Sequence, residues 1–235
     1  MSEALNLKPS SSSELLLNGH IFQPDVSGAL YWPQQDTLIV SDLHFEKGSF
    51  FASRNQHLPP YDTGQTLSAL ERTIARYQPA QIIALGDSFH DMDGAQRLSN
   101  EDRNRIVALT RSRRWIWIAG NHDPVPAPDL GGEATQDLII NGITLRHEPL
   151  AHLSGAEIAG HLHPVATIAT KARKLRRRAF VSNGQRLIMP AFGAYTGGLN
   201  VRDEAFSTLL KDRPFHAWAL GENQVYPISS ARLRR

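Results

Sequence analysis

The sequence predicts an α/β fold. Three observations carry this: apolar runs of strand length, helical patterns between the earlier runs, and polar residues of one chemical kind where five of the runs end. The runs are Thr37–Val40, Gln81–Leu85, Trp115–Ala119, Ile143–Leu145 and Glu157–Ala159. They are too short for helices, and several are rich in β-branched or aromatic residues. Between the first two, Leu67, Leu70, Ile74 and Tyr77 fall on one helical face. Asp62 followed by Gln65 offers a capping box, and Pro79 ends the pattern. A second helix is expected from about Asn100 to Thr110, with Ile106, Val107 and Leu109 as its apolar side. Strands alternating with helices give an α/β sheet.

After residue 165 the pattern turns to β. Ala179–Ser182 and Arg186–Met189 flank Asn183-Gly184 and predict a hairpin with a type I′ turn. Two further strands are expected near His216–Leu220 and Gln224–Ile228. No repeat and no linker divides the chain, so one domain is expected over residues 14–228, with loose ends at 1–13 and 229–235.

Composition narrows the function classes. The 235 residues are 41% apolar, enough for a sizeable core. The absence of cysteine excludes disulfide scaffolds, thiolate–zinc sites and thiol nucleophiles. No apolar stretch approaches the roughly 18 residues of a membrane span, and the polar, serine-rich start has no secretory pattern. The expected location is the cytoplasm, with no membrane partner. The net charge is only +2, yet Lys171, Arg173, Lys174, Arg176, Arg177 and Arg178 place six cations within eight residues. The basicity is local.

The five strand ends carry Asp42 and His44, then Asp87, then Asn121, His122 and Asp123, then His147, and finally His161 and His163. Ligands of open α/β sheets sit beyond the carboxyl ends of the strands, so five separate segments can converge there. Carboxylate, imidazole and amide oxygen without thiolate suit Mn²⁺, Fe²⁺ or Zn²⁺. Seven ligands are too many for one ion. With Asp87 bridging, they divide into four contacts for each of two dications, the clamp used for in-line displacement at phosphorus.

Asp42-x-His44, Gly86-Asp87, Gly120-Asn121-His122-Asp123, His147 and Gly160-His161-x-His163 resemble the five-block signature of the calcineurin-like metallophosphoesterases. The resemblance implies a two-sheet β-sandwich flanked by helices, an α/β/β/α architecture. It also implies a ligand division: Asp42, His44, Asp87 and His163 for one ion, and Asp87, Asn121, His147 and His161 for the other. Residues 41–48, 86–91 and 190–200 are further similar to the bacterial ligase-associated DNA-damage-response endonucleases (PdeM-like). That similarity implies a manganese-dependent DNA phosphoesterase in repair, with a helicase, an exonuclease and a DNA ligase as functional partners. Many relatives carry Gly-Asp-x-x-Asp-Arg; here His90 stands at the third position after Asp87 and the arginine is absent. This argues against a protein phosphatase, and the histidine resembles that of double-strand-break repair nucleases.

The expected reaction is in-line attack by metal-activated hydroxide, with His122 protonating the leaving oxygen and His90 as a second candidate for that role. Imidazole suits it, because its ordinary pKa of about 6.5 lies near working pH. Asp91 is the first candidate to support His122, and Asp123 the second. Lys47 and Arg54 are candidates for phosphate contact or are solvated cations. The 171–178 cluster is either a basic rim for the DNA backbone or a solvated loop. The alternative substrate is a nucleotide or a lipid-linked pyrophosphate, and the alternative class is a silent nucleic-acid-binding scaffold.

Overall fold

The computed structural model describes residues 14–56, 61–125, 128–169, 173–210 and 214–235. The expected loose start at 1–13, and Lys171 of the basic cluster, lie outside the described residues. The first sheet begins with β1 (Leu15–Leu17), β2 (His20–Pro24), β3 (Leu30–Trp32) and β4 (Thr37–Val40). Helices α1 (Lys47–Ala52) and α2 (Asp62–Tyr77) lead to β5 (Gln81–Leu85), and α3 (Gly94–Arg97) and α4 (Asn100–Arg111) lead to β6 (Arg114–Ile118) and β7 (Glu133–Thr135). These seven strands lie in sequence order across the sheet. β4 to β7 run parallel, as strand–helix–strand crossovers require.

The second sheet contains β8 (Leu138–Ile140), β9 (Ile143–Arg146), β10 (Ala156–Ala159), β11 (Val165–Ala169), β12 (Lys174–Ser182) and β13 (Arg186–Ile188). After α5 (Glu204–Leu210) follow β14 (His216–Leu220), β15 (Val225–Ser229) and β16 (Leu233–Arg234). The order is β15-β14-β12-β13-β10-β9-β8, with β11 and β16 attached beside the first half of β12. β9, β10 and β13 run parallel; the hairpin strands are antiparallel.

Period-2 alternation assigns each strand two faces. Ile39, Ile83, Ile116, Leu145, Ile158 and Phe180 fill the space between the sheets. Leu38, Val40, Ile82 and Trp117 face outward onto Leu67, Leu70 and Ile74 of α2 and Ile106 of α4. Behind the second sheet, Val181, Ile188 and Ala217 pack on Phe206 and Leu210 of α5. Each fully buried Leu, Ile or Phe contributes about 1.5–3 kcal/mol. The result is the α/β/β/α sandwich, with strands buried on both faces, and that double burial is why their sequences read as unbroken apolar runs.

Several local expectations are corrected. Tyr61, not Asp62, precedes α2, and no side chain caps it; Asp62 instead accepts the Gly48 N–H at 3.0 Å. The capping box is absent because that carboxylate is used by α1. The hairpin turns one residue later than expected. Only Gly184 has positive φ (87°), and Asn183 Oδ1 accepts the amides of Gln185 and Arg186. Type I′ needs positive φ at both central residues, so the turn is not of that type. Residues 229–235 are not loose: β16 pairs with β11 and Leu233 is buried. From Lys174 to Arg178 the basic run is no loop either, because these residues form half of β12.

Candidate metal centre

The parallel strands of both sheets end at one edge, and hydrogen bonds tie their exits together. The His147 imidazole lies 3.0 Å from the Leu85 carbonyl through Nδ1, the Gly160 amide donates to the His147 carbonyl at 2.9 Å, and the Phe192 amide donates to the Ser41 carbonyl at 2.8 Å. Two clusters of donors result. Asp42, His44 and His163 form one, Asp87, His147 and His161 the other; within each, the donor atoms lie within 4.8 Å of one another. His163 Nε2 is 3.1 Å from Asp42 Oδ1 and 3.3 Å from His44 Nε2. His147 Nε2 is 2.8 Å from Asn121 Oδ1, 3.3 Å from Asp87 Oδ2 and 3.2 Å from His161 Nδ1. His147 Nδ1 also lies 3.8 Å from Asp42 Oδ1, which joins the two clusters. All seven candidate ligands are thus gathered at one place.

The donor set fits metal. A carbonyl can only accept, so His147 Nδ1 carries the proton it donates to Leu85, and Nε2 points its lone pair at oxygen and nitrogen lone pairs. Acceptors crowded in this way repel unless a cation or an extra proton lies among them. Burial opposes charge on Asp42, but His163 and His147 outweigh it and hold the carboxyl below its usual range. Asp87 falls to about 2, because its hydrogen bond with His147 and the His122 amide at 2.9 Å overcome burial. Burial takes His44 down to about 3 and lowers His161. His147 goes the other way: burial lowers it, yet Asp87 and Asp42 together push it up to about 9.

The backbone is specialised here too. Five of the seven candidate ligands, Asp42, His44, Asp87, His161 and His163, have positive φ, from 45° to 69°. A left-handed conformation costs a non-glycine residue of order 1–3 kcal/mol, so the surrounding hydrogen bonds must hold these exits. The Ser41 hydroxyl donates to the Asp42 carboxylate, and the His161 amide donates to it at 3.1 Å. An ideal Cβ at residue 160 would overlap Ser41 Oγ and lie 2.6 Å from Asp42 Oδ2, so only glycine fits. The 190–200 stretch supports the same loops, with Gly193 N–H donating to the Asp42 carbonyl at 3.1 Å.

His122 stands at the mouth, half-exposed, with Nε2 3.8 Å from Asp87 Oδ2. His90 stacks on it, ring centroids 5.5 Å apart, and packs edge-on against Phe50. Burial and the Lys47 charge bring His90 down to about 4. Neither expected carboxylate hydrogen-bonds His122 among the described residues, and each has another partner. Asp91 is captured by Arg97 at 2.5 Å. Asp123 accepts the amides of Ser88 and Phe89 at 2.8 and 3.1 Å and so fixes the turn after Asp87; burial pushes its carboxyl up to about 7.

Lys47 lies near this cluster, whereas the Arg54 guanidinium covers the Phe50 ring at 4.1 Å. Arg178 turns inward to the Ala191 carbonyl at 2.7 Å. Lys174, Arg176 and Arg177 are exposed on β12, and Arg173 is exposed just before it. The sequence reading missed the clamp beyond His44, where the Thr63 hydroxyl accepts the Glu46 amide and donates to its carboxylate, both at 2.9 Å. In the sequence Glu46 is marked only by its place in the 41–48 block, two residues beyond His44.

The calcineurin-like phosphoesterase family model matches residues 36–180. The chain belongs to that family. Among solved structures, the Pseudomonas putida nuclease MPE is 25% identical with a TM-score of 0.72, covering 92% of this chain and 99% of its own. Yfce, a phosphoesterase from E. coli, is 12% identical with a TM-score of 0.41, covering 82% of this chain and 98% of its own. No curated protein sequence matches. Membership makes the chain a phosphoesterase hydrolase, and the two donor clusters agree with a dinuclear metal centre. Among the described residues, no helix is long and apolar enough to cross a membrane.

Proposed function

We propose that this protein is a DNA phosphodiesterase, an endonuclease of repair, working with two divalent ions of which Mn²⁺ is the first choice and Fe²⁺ or Zn²⁺ the alternatives. The observation that carries the reading is the pair of donor clusters, Asp42/His44/His163 and Asp87/His147/His161, joined at His147. Asp42, His44, His163 and Asp87 would hold one ion; Asp87, Asn121, His147 and His161 would hold the other. Bound there, the ions would polarise a phosphoryl oxygen and lower the pKa of water.

The chain's own groups supply the rest. His122, at the mouth and within 3.8 Å of Asp87, donates its Nε2 proton to the leaving oxygen. His90 restrains the His122 ring by stacking. DNA is favoured over smaller esters by the likeness to a nuclease over nearly the whole of both chains and by His90, where many relatives run on to Asp-Arg. The resemblance to ligase-associated endonucleases supports work beside a helicase, an exonuclease and a DNA ligase, and the proposed location is the cytoplasm.

A metal screen with circular and linear DNA tests the proposal. Nicking is expected with Mn²⁺ and not with EDTA, and Asn121→Ala is expected to abolish it. Rapid nucleotide hydrolysis with intact plasmid would replace DNA by a small substrate.

A further inference from the structure

The cations behind the metal centre form an ordered surface. β12 sets Arg176 directly across from Thr167 of β11, and β16 sets Arg234 across from the same Thr167 on its other side. Alternation puts Lys174, Arg176 and Arg234 on one face of this three-stranded ribbon, with Leu175, Ile168 and Leu233 on the opposite one. The two arginines stand about 9.6 Å apart across the ribbon, two strand spacings. At that spacing, about a Debye length, the two exposed charges repel only weakly and can act side by side. No carboxylate forms an ion pair with either arginine among the described residues, although Asp203 lines the same cleft as Arg202 and Arg234. Arg176 donates to the Gly198 carbonyl at 3.3 Å, Arg234 to the Ala231 and Leu233 carbonyls at 3.1 Å, and neighbouring Arg202 to the Ser230 carbonyl. Elsewhere Arg76, Arg97, Arg105, Arg114 and Arg146 each pair with an Asp or Glu.

This face adjoins the metal centre. Gly198, which receives the Arg176 guanidinium, packs so closely on the His163 carbonyl that a Cβ there would collide with it. Thr167 lies four residues beyond His163, no more than about 14 Å of chain. That distance is about four phosphates along one strand of B-DNA.

We propose that Arg176 and Arg234, flanked by Lys174 and Arg202, form a track for the phosphate backbone of DNA leading away from the metal centre. The inference rests on the DNA reading above and extends it to a surface that includes the chain's C-terminal strand. Guanidinium groups whose own contacts are neutral carbonyls keep their charge for an anion, and the planar fork suits phosphate oxygens. The backbone pairing of β11, β12 and β16 fixes their spacing without help from the side chains.

The test measures DNA affinity against salt for the full chain carrying Asn121→Ala, so that substrate survives. Adding Arg176→Gln and Arg234→Gln should flatten the log–log slope by about two, since each lost phosphate contact removes about 0.9. Arg111→Gln, an exposed cation on α4, should leave the slope alone, and the pair Arg176→Lys/Arg234→Lys should retain it. A double Gln variant with the Arg111→Gln slope and a normal thermal melt overturns the track while the DNA reading stands. Hydrolysis of bis-(p-nitrophenyl) phosphate by the unaltered chain with Mn²⁺, without any DNA binding, overturns the DNA reading itself and the track with it.

Discussion

Metal binding should release a proton from His147. Without metal, the burial that lowers this imidazole is outweighed by Asp87 at 3.3 Å and Asp42 at 3.8 Å, which push it up to about 9. His44 and His161 are held neutral, and Asp42 and Asp87 ionised, whereas His147 must lose a proton before it can bind metal. At pH 7 that proton lies about two pH units below its pKa, which weakens binding about 100-fold, or about 2.7 kcal/mol. Calorimetric titration of Mn²⁺ into EDTA-treated protein, in two buffers of different ionisation enthalpy, counts the protons released. About one is expected at pH 7, and apparent affinity should rise roughly tenfold per pH unit up to about 9. The same proton stabilises the metal-free fold fully below about pH 6.5, and that contribution fades as pH rises through about 9. No proton release, with affinity flat from pH 7 to 9, would refute the reasoning.

Three other perturbations have defined outcomes. Gly160→Ala forces a methyl group onto Ser41 and Asp42 and should cost about 1–3 kcal/mol together with metal retention; an unchanged melt with full metal content would contradict the close-approach argument. Arg186→Met leaves Glu157, buried beside it at 3.3 Å, without its countercharge, at about 3–5 kcal/mol. Burial already raises the Glu157 carboxyl, so its contribution to folding is present below about pH 4.5 and lost as pH rises. The Arg186→Met deficit in urea melts should therefore shrink on acidification, and equal deficits at pH 5 and 8 would count against it. His122→Ala should slow DNA cleavage by about 10²–10⁴ while sparing nitrophenyl esters, whose leaving groups need no proton; equal losses would remove the proton-donor role.

The buried parallel strands were legible because both their faces are apolar. The short strands β1, β3 and β7 were not, since three residues acquire strand identity only from the neighbours they pair with. The first half of β12 was hidden for a different reason. Leu175 is the lone apolar residue among its first five, so a backbone-paired strand presents as a charge run. The last strand hangs on Leu233, one buried side chain in a polar segment. At the site, ligand identity was written in the strand ends, because each chemistry-bearing block follows an apolar run. The surroundings of His122 were not: they depend on Arg97 taking Asp91 and on two amides taking Asp123, contacts between segments that spacing alone does not encode.

The left-handed backbone of the ligand loops sets how this centre can be dissected. Truncating Asp42, His44, Asp87, His161 or His163 to alanine, or replacing one with a β-branched residue, would remove a donor and also disfavour the local twist of the chain. Asparagine tolerates that twist and carries no charge. Of the ordinary replacements, it is the one that takes away the carboxylate charge or the imidazole while sparing the loop that presents it.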